Sequence, residues 1–113
     1  MFVYCLQVVC VSDFGRTLTS NGQGSDHGWG GNYWVLGGGV KGKQMLGEFP
    51  ERLAEFESDH NIGRGRVIPT TPWEAVWSAV AEWLGIQDKV LDKIVPHAKN
   101  FKAGIFKQRD LFR

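Results

Sequence analysis

The sequence is short of cysteine and without an excess of either charge, and each shortage removes a class of protein. Its two cysteines, Cys5 and Cys10, both fall in the first apolar run. Neither forms the Cys-x-x-Cys pair of a zinc or redox site, and their odd separation puts them on opposite faces of a strand, so both are expected to be small buried hydrophobes. Thirteen Lys and Arg against twelve Asp and Glu leave a net charge of +1. Those charges are scattered, which excludes the basic footprint of a nucleic-acid binder and the patch of a membrane-surface protein. No apolar stretch approaches the roughly 20 residues of a membrane span. The run Met1 to Val11 has no Lys or Arg ahead of it and no small-x-small site behind it, so it does not read as a secretion signal, and the compartment stays open. A chain of 113 residues has room for one core at most.

What is present is unevenly distributed. Phe2 to Val11 is nearly continuous apolar sequence rich in Val, the pattern of a strand covered on both faces in a parallel sheet. A strand starting almost at Met1 suggests that sequence once lay upstream. From Gly15 to Gly47 the composition changes, because eleven of the fifteen glycines lie there. This is a loop-dominated region with one short strand candidate, Tyr33 to Leu36, and its interleaved Trp29, Tyr33 and Trp34 argue against a flexible spacer. Pro50 to Ser58 is compatible with one or two helical turns, and Asn61 to Arg66 reads as a basic turn before a short strand at Val67-Ile68.

The strongest local signal is a helix from Pro72 to Leu84. Thr71 is placed to be its N-cap, Glu74 to complete a capping box, and Gly85 to close it. Trp73, Val76, Trp77, Val80 and Leu84 recur at helical spacing and are expected to be core. Asp88 is expected to cap a second helix, Lys89 to Val95, with Val90, Leu91, Ile94 and Val95 inward. The tail Phe101 to Arg113 has no clear period.

Two motifs spell familiar chemistry without its context. Asp13-Phe14-Gly15 matches the magnesium triplet of protein kinases, but no His-Arg-Asp loop precedes it. Gly37 to Lys43 satisfies a Gly-x-x-x-x-Gly-Lys pattern, but Gln44 stands where a magnesium-binding Ser or Thr is needed and Pro50 follows where a helix should run. A third constellation fits better. Asp13 ends the apolar run and Asp26-His27 follows among glycines, supplying oxygen and imidazole ligands of the kind a divalent metal takes. A turn acid and a hydrogen-bonded loop histidine are the plainer readings. Arg16, followed by Thr17, could clamp a sulfate, phosphate or carboxylate, or could form a surface ion pair.

Four stretches in this order, Val8 to Thr17, Asp26 to Asn32, Gly37 to Gly42 and Gly63 to Thr71, resemble the C-terminal part of the group catalogued as domain of unknown function 1501, within the alkaline phosphatase and sulfatase superfamily. The likeness runs from about Val8 to Phe101. It implies a central parallel sheet flanked by helices, with metal and substrate at the carboxyl ends of the strands. It aligns Asp13 with a metal-binding aspartate and His27 with a later metal-binding histidine, while Phe14 stands where active relatives have another histidine. The nucleophile and remaining metal acids belong to the N-terminal half of that superfamily, so no catalytic residue transfers to this chain.

The expectation is therefore a partial alkaline-phosphatase-like three-layer α/β fold, with residues 1–113 as one partial domain, parallel strands, flanking helices and a Gly-rich loop region. Its metal ligands would be Asp13, His27 and Asp26, with a divalent metal as cofactor, and Arg16 and Thr17 would hold an anionic small-molecule ester. By itself the chain would be catalytically silent. A binding scaffold that has lost hydrolysis, with Phe14 and Trp29 as contacts, and a truncation product without function are the alternatives. Uncovered apolar faces would promote self-association.

Overall fold

A computed structural model describes residues 6–101 and 103–113. In chain order the elements are β1 (Gln7–Cys10), β2 (Gly15–Ser20), β3 (Ser25–Gly28), β4 (Trp34–Gly37), α1 (Glu74–Trp83), α2 (Asp88–Ile94), a 3-10 turn (Ala98–Asn100) and α3 (Gln108–Leu111).

The parallel, three-layer α/β architecture is not what these residues form. The strands make two antiparallel two-stranded sheets, β1 with β4 and β2 with β3. A parallel pair needs a crossover of a dozen or more residues, usually a helix. Among the described residues no helix separates one strand from the next. The chain instead doubles back at Asn21, whose N–H donates to Gly24 O at 3.0 Å, and β2 meets β3 as a hairpin. The first apolar run also departs from expectation, although the part before Leu6 lies outside the described residues. Burial alternates along β1, and Val8 and Val11 are 48% and 45% exposed. Cys10 is exposed as a free thiol rather than buried, and Cys5 lies outside the described residues. The strand expected at Tyr33 to Leu36 forms one residue later, as β4.

The chain divides into two compact units. One contains Val35–Gly47 and Thr71–Arg113 and holds the helices. Here α1 runs between two apolar clusters. Ala81, Leu91, Val95 and Ala98 form the first, flanked by Trp77, Ile86 and Ile105. Ala79, Leu111 and Phe112 form the second, flanked by Val35, Val40, Val76, Val80, Trp83 and Phe106. The rings of Trp83 and Phe112 stack at 5.2 Å between centroids.

The side of α1 that is most buried is Ala75, Ser78, Ala79 and Ala81, not the expected large residues; Trp73 and Leu84 are 60% and 65% exposed. Small residues let neighbouring backbone approach closely, so α2, α3 and the 3-10 turn pack on that side while Val76, Trp77 and Val80 flank it, half-buried. The expected N-cap is absent as well. Trp73 occupies the cap position in a helical conformation with no side-chain cap bond. The C-terminus follows expectation: Gly85 has φ +85°, its N–H donates to Glu82 O, and Ile86 N–H donates to Ala81 O, the paired bonds of a Schellman closure. Leu91 in α2 and Val95 at its C-cap are buried, whereas Val90 and Ile94 face solvent.

The unassigned tail is ordered by long-range bonds. Lys107 N–H donates to Asp110 Oδ2 at 2.7 Å at the start of α3, and Val40 bridges Phe112 in antiparallel sense, with Lys41 N–H to Leu111 O and Arg113 N–H to Gly39 O.

The second unit contains Val9–Trp34 and Glu48–Thr70. It is built on the β2–β3 hairpin, to which the turn 61–67 is bonded by Leu18 N–H to Gly65 O at 2.9 Å and Gly30 N–H to Val67 O at 2.7 Å. Residues 50–58 form turns rather than a helix, and Val67 makes a single bridge with Asn61 rather than a strand. A helical segment of that length has too few hydrogen bonds to offset its nucleation cost. Asn61 Nδ2 instead ties it down by donating to Leu53 O, and Glu55 Oε1 accepts Arg64 N–H.

Candidate functional site

The hairpin register decides which expected site residues meet. Gly15 faces Gly28 and Arg16 faces His27 directly. Because strand side chains alternate between faces, Phe14, Arg16 and His27 share one side of the hairpin, while Thr17 and Asp26 point to the other.

On the first side the Phe14 ring stacks on the His27 imidazole, with centroids 3.9 Å apart and planes inclined by 23°. The Arg16 guanidinium carbon lies 5.0 Å from the centre of the same phenyl ring, a cation–π distance. Arg16 Nη1 also donates to Ser25 O at 2.9 Å, which fixes the guanidinium along the strand. Arg16 and His27 are both exposed. This side is an aromatic-backed pair of nitrogen donors.

On the second side Thr17 is buried and its hydroxyl is fully used, donating to Thr19 O and accepting Asp26 N–H, each at 3.0 Å. Both Asp26 carboxylate oxygens are engaged as well. Oδ1 accepts Asn21 Nδ2 at 2.7 Å, and Oδ2 meets Arg64 Nη2 at 3.1 Å. A small pocket opens here, lined by Thr17, Asp26, His27, Arg64 and Arg66. Asp13 sits in an exposed bend before β2.

The residues present do not fit a divalent ion on their own. Asp26 and His27 are neighbours on a strand and project to opposite faces, the Asp26 oxygens are already paired, and among the described residues no three His, Cys, Asp or Glu side chains are grouped as a metal site. Nor do Arg16 and Thr17 act together, since only Arg16 faces outward with free donors.

In the sequence Arg64 and Arg66 read only as part of a basic turn. The available signal is the alternation Gly63-Arg64-Gly65-Arg66. Arg64 has φ +56° between glycines at +97° and +71°, a left-handed run that turns the chain tightly and brings both guanidinium groups to the hairpin.

The hairpin thus carries Arg16 and His27 on one side, with Arg64 and Arg66 beside the pocket at Thr17 and Asp26. Residues 7–61 match the family model described as "Protein of unknown function (DUF1501)", so this part of the chain is similar to the DUF1501 family. The match takes in the first three of the four resembling stretches, and the Gly63 to Thr71 stretch lies beyond it. No curated protein and no solved structure matches the chain.

Proposed function

We propose that the chain is the C-terminal portion of a phosphate- or sulfate-ester hydrolase-type protein of the alkaline phosphatase and sulfatase kind, inactive alone, whose hairpin contributes an anion-binding edge. The observation that carries this reading is Arg16 directly opposite His27, both exposed and both lying against Phe14. A guanidinium and an imidazole N–H so placed can donate to two oxygens of one ester group, and the phenyl ring behind them limits the directions from which water competes. A divalent metal bound through Asp13 and His27 would need further ligands from outside this chain.

A second reading, a binding scaffold without hydrolysis, draws support from the Phe14–His27 stack, because an imidazole held face-on against a ring is positioned to donate to a ligand rather than to be surrounded by carboxylates. Both readings expect anion binding and differ in chemistry. Titration of the chain with phenyl phosphate and phenyl sulfate, followed through the His27 ring resonances, should show saturable shifts that Arg16→Gln weakens about tenfold. Absence of any His27 response to either ester rejects the anion-binding edge. Hydrolysis by a longer protein carrying these residues, dependent on added divalent metal, would favour the hydrolase over the scaffold.

A further inference from the structure

The Arg64–Asp26 ion pair has a feature that a merely structural bridge does not require: it lines a pocket that holds a second guanidinium, from Arg66. Arg66 Nε donates to Gly63 O at 3.0 Å, which anchors the group at its base, and Arg66 makes no ion pair among the described residues. Arg64 N–H is bonded to Glu55 Oε1 at 2.7 Å, so the backbone of the turn is fixed while the Arg64 side chain reaches across to Asp26. Arg64 and Arg66 thus line the pocket together with Asp26, with Glu55 behind the turn.

The pocket is small, about 80 Å³, and its lining of Arg64, Arg66 and Asp26 suits a compact oxyanion. Asp26 already shows what the pocket accepts, because its carboxylate contacts Arg64 through one oxygen. That contact is exchangeable: the Arg64 and Asp26 side chains are 66% and 44% exposed, and pairs so placed are weak in water.

We propose that this pocket binds a tetrahedral dianion, inorganic phosphate, inorganic sulfate or the phosphate of a monoester, through Arg64 and Arg66, with the Asp26 carboxylate as the internal counter-ion that the ligand displaces from Arg64. The inference rests on the anionic-ester reading above and assigns it a second set of donors on the opposite side of the hairpin. It also gives Asp26 a role in specificity. A dianion bridging two guanidinium groups outcompetes a single carboxylate contact, whereas a monoanion gains too little to do so.

The test is a calorimetric titration of the full chain with inorganic phosphate, sulfate and nitrate at constant ionic strength, with thermal melts to confirm that each variant folds. Phosphate and sulfate should bind saturably, and nitrate should not. Arg64→Gln and Arg66→Gln should each weaken phosphate binding at least tenfold, Arg66→Lys should weaken it less, and Asp26→Asn should tighten it several-fold. Unchanged phosphate binding in both arginine-to-glutamine variants overturns the proposal. If Arg16→Gln abolishes binding while the Arg64 and Arg66 variants do not, this pocket is wrong and the earlier reading survives. If no variant, Asp26→Asn included, binds phosphate or sulfate, both fall. Should Asp26→Asn unfold the chain, the contrast between Arg66→Gln and Arg66→Lys decides the matter alone.

Discussion

Gly65 combines a left-handed backbone with a close approach to β2 in the hairpin unit. It is buried with φ +71°, and a Cβ there would lie 2.4 Å from Thr19 N and 2.6 Å from Leu18 N, while its carbonyl accepts Leu18 N–H. Any side chain would have to push β2 away from the turn that carries Arg64 and Arg66. Gly65→Ala is therefore expected to cost at least about 2 kcal/mol, combining left-handed strain with the clash. The measurement is amide hydrogen exchange: Leu18 N–H should lose protection in the variant, and protection equal to the parent would show that the turn does not pack on β2 as described. At this scale the sequence was informative about identity and silent about geometry. It drew attention to Arg16, His27, Asp13 and Asp26 as chemistry-bearing residues. That Arg16 faces His27 while Thr17 and Asp26 face away follows from hairpin register, which no spacing along one strand can supply.

A charged junction reinforces the packing of elements in the helical unit. Glu82 in α1 accepts Lys107 Nζ on Oε1 and Gln108 N–H on Oε2, both at 2.7 Å, and so joins α1 to the start of α3. Burial works to raise the Glu82 carboxyl, but the Lys107 and Gln108 hydrogen bonds and the Lys107 charge outweigh it and hold the group below its ordinary 4.5. The Lys107 ammonium is raised above its ordinary 10.5, chiefly by the hydrogen bond to Glu82 and against some desolvation. The signs set the pH window. Glu82 contributes stability above pH 4.5 and loses it as pH falls through the lower folded value. Lys107 contributes below pH 10.5 and loses it as pH rises through the higher folded value. Lys107 is half-exposed, so screening limits the pair to about 1 kcal/mol. Urea melts of the parent and Glu82→Gln should differ by about that amount at pH 7 and converge as pH falls below the carboxylate range. A difference that persists unchanged at acid pH would remove the charge from the explanation. Sequence periodicity found α1 and its Gly85 closure because both are local. It placed Val76, Trp77 and Val80 against the apolar clusters but not the exposed Trp73 and Leu84, because which side packs most tightly depends on how closely α2 and α3 approach, and it missed α3, whose four residues are held by bonds to residues far away in the chain.

For the whole molecule, the chief consequence is exposed apolar surface. Leu6 just before β1, Val8 on β1 and Leu36 on β4 are all exposed, as are Trp29 and Trp34. Two-stranded sheets are marginal in water without a covered face. Self-association is expected, seen by sedimentation as mass rising with concentration, and Leu36→Lys should shift the distribution toward monomer. A monomer at all accessible concentrations would show that this surface does not drive association. Among the described residues no helix is long and apolar enough to cross a membrane, as the hydropathy of the sequence anticipated.

The sequence by itself determined the site's residue types, the resemblance to the DUF1501 family, the existence of α1 and α2, and the glycine-rich character of the region between Gly15 and Gly47, since each is a property of composition or of short-range pattern. Tertiary structure alone decided that the strands pair antiparallel instead of parallel, that Arg16 and His27 meet on Phe14, and that Arg64 and Arg66 join Asp26. An apolar run fits a parallel or an antiparallel neighbour equally well, and only the path of the intervening chain, here turned back without a helical crossover, selects one.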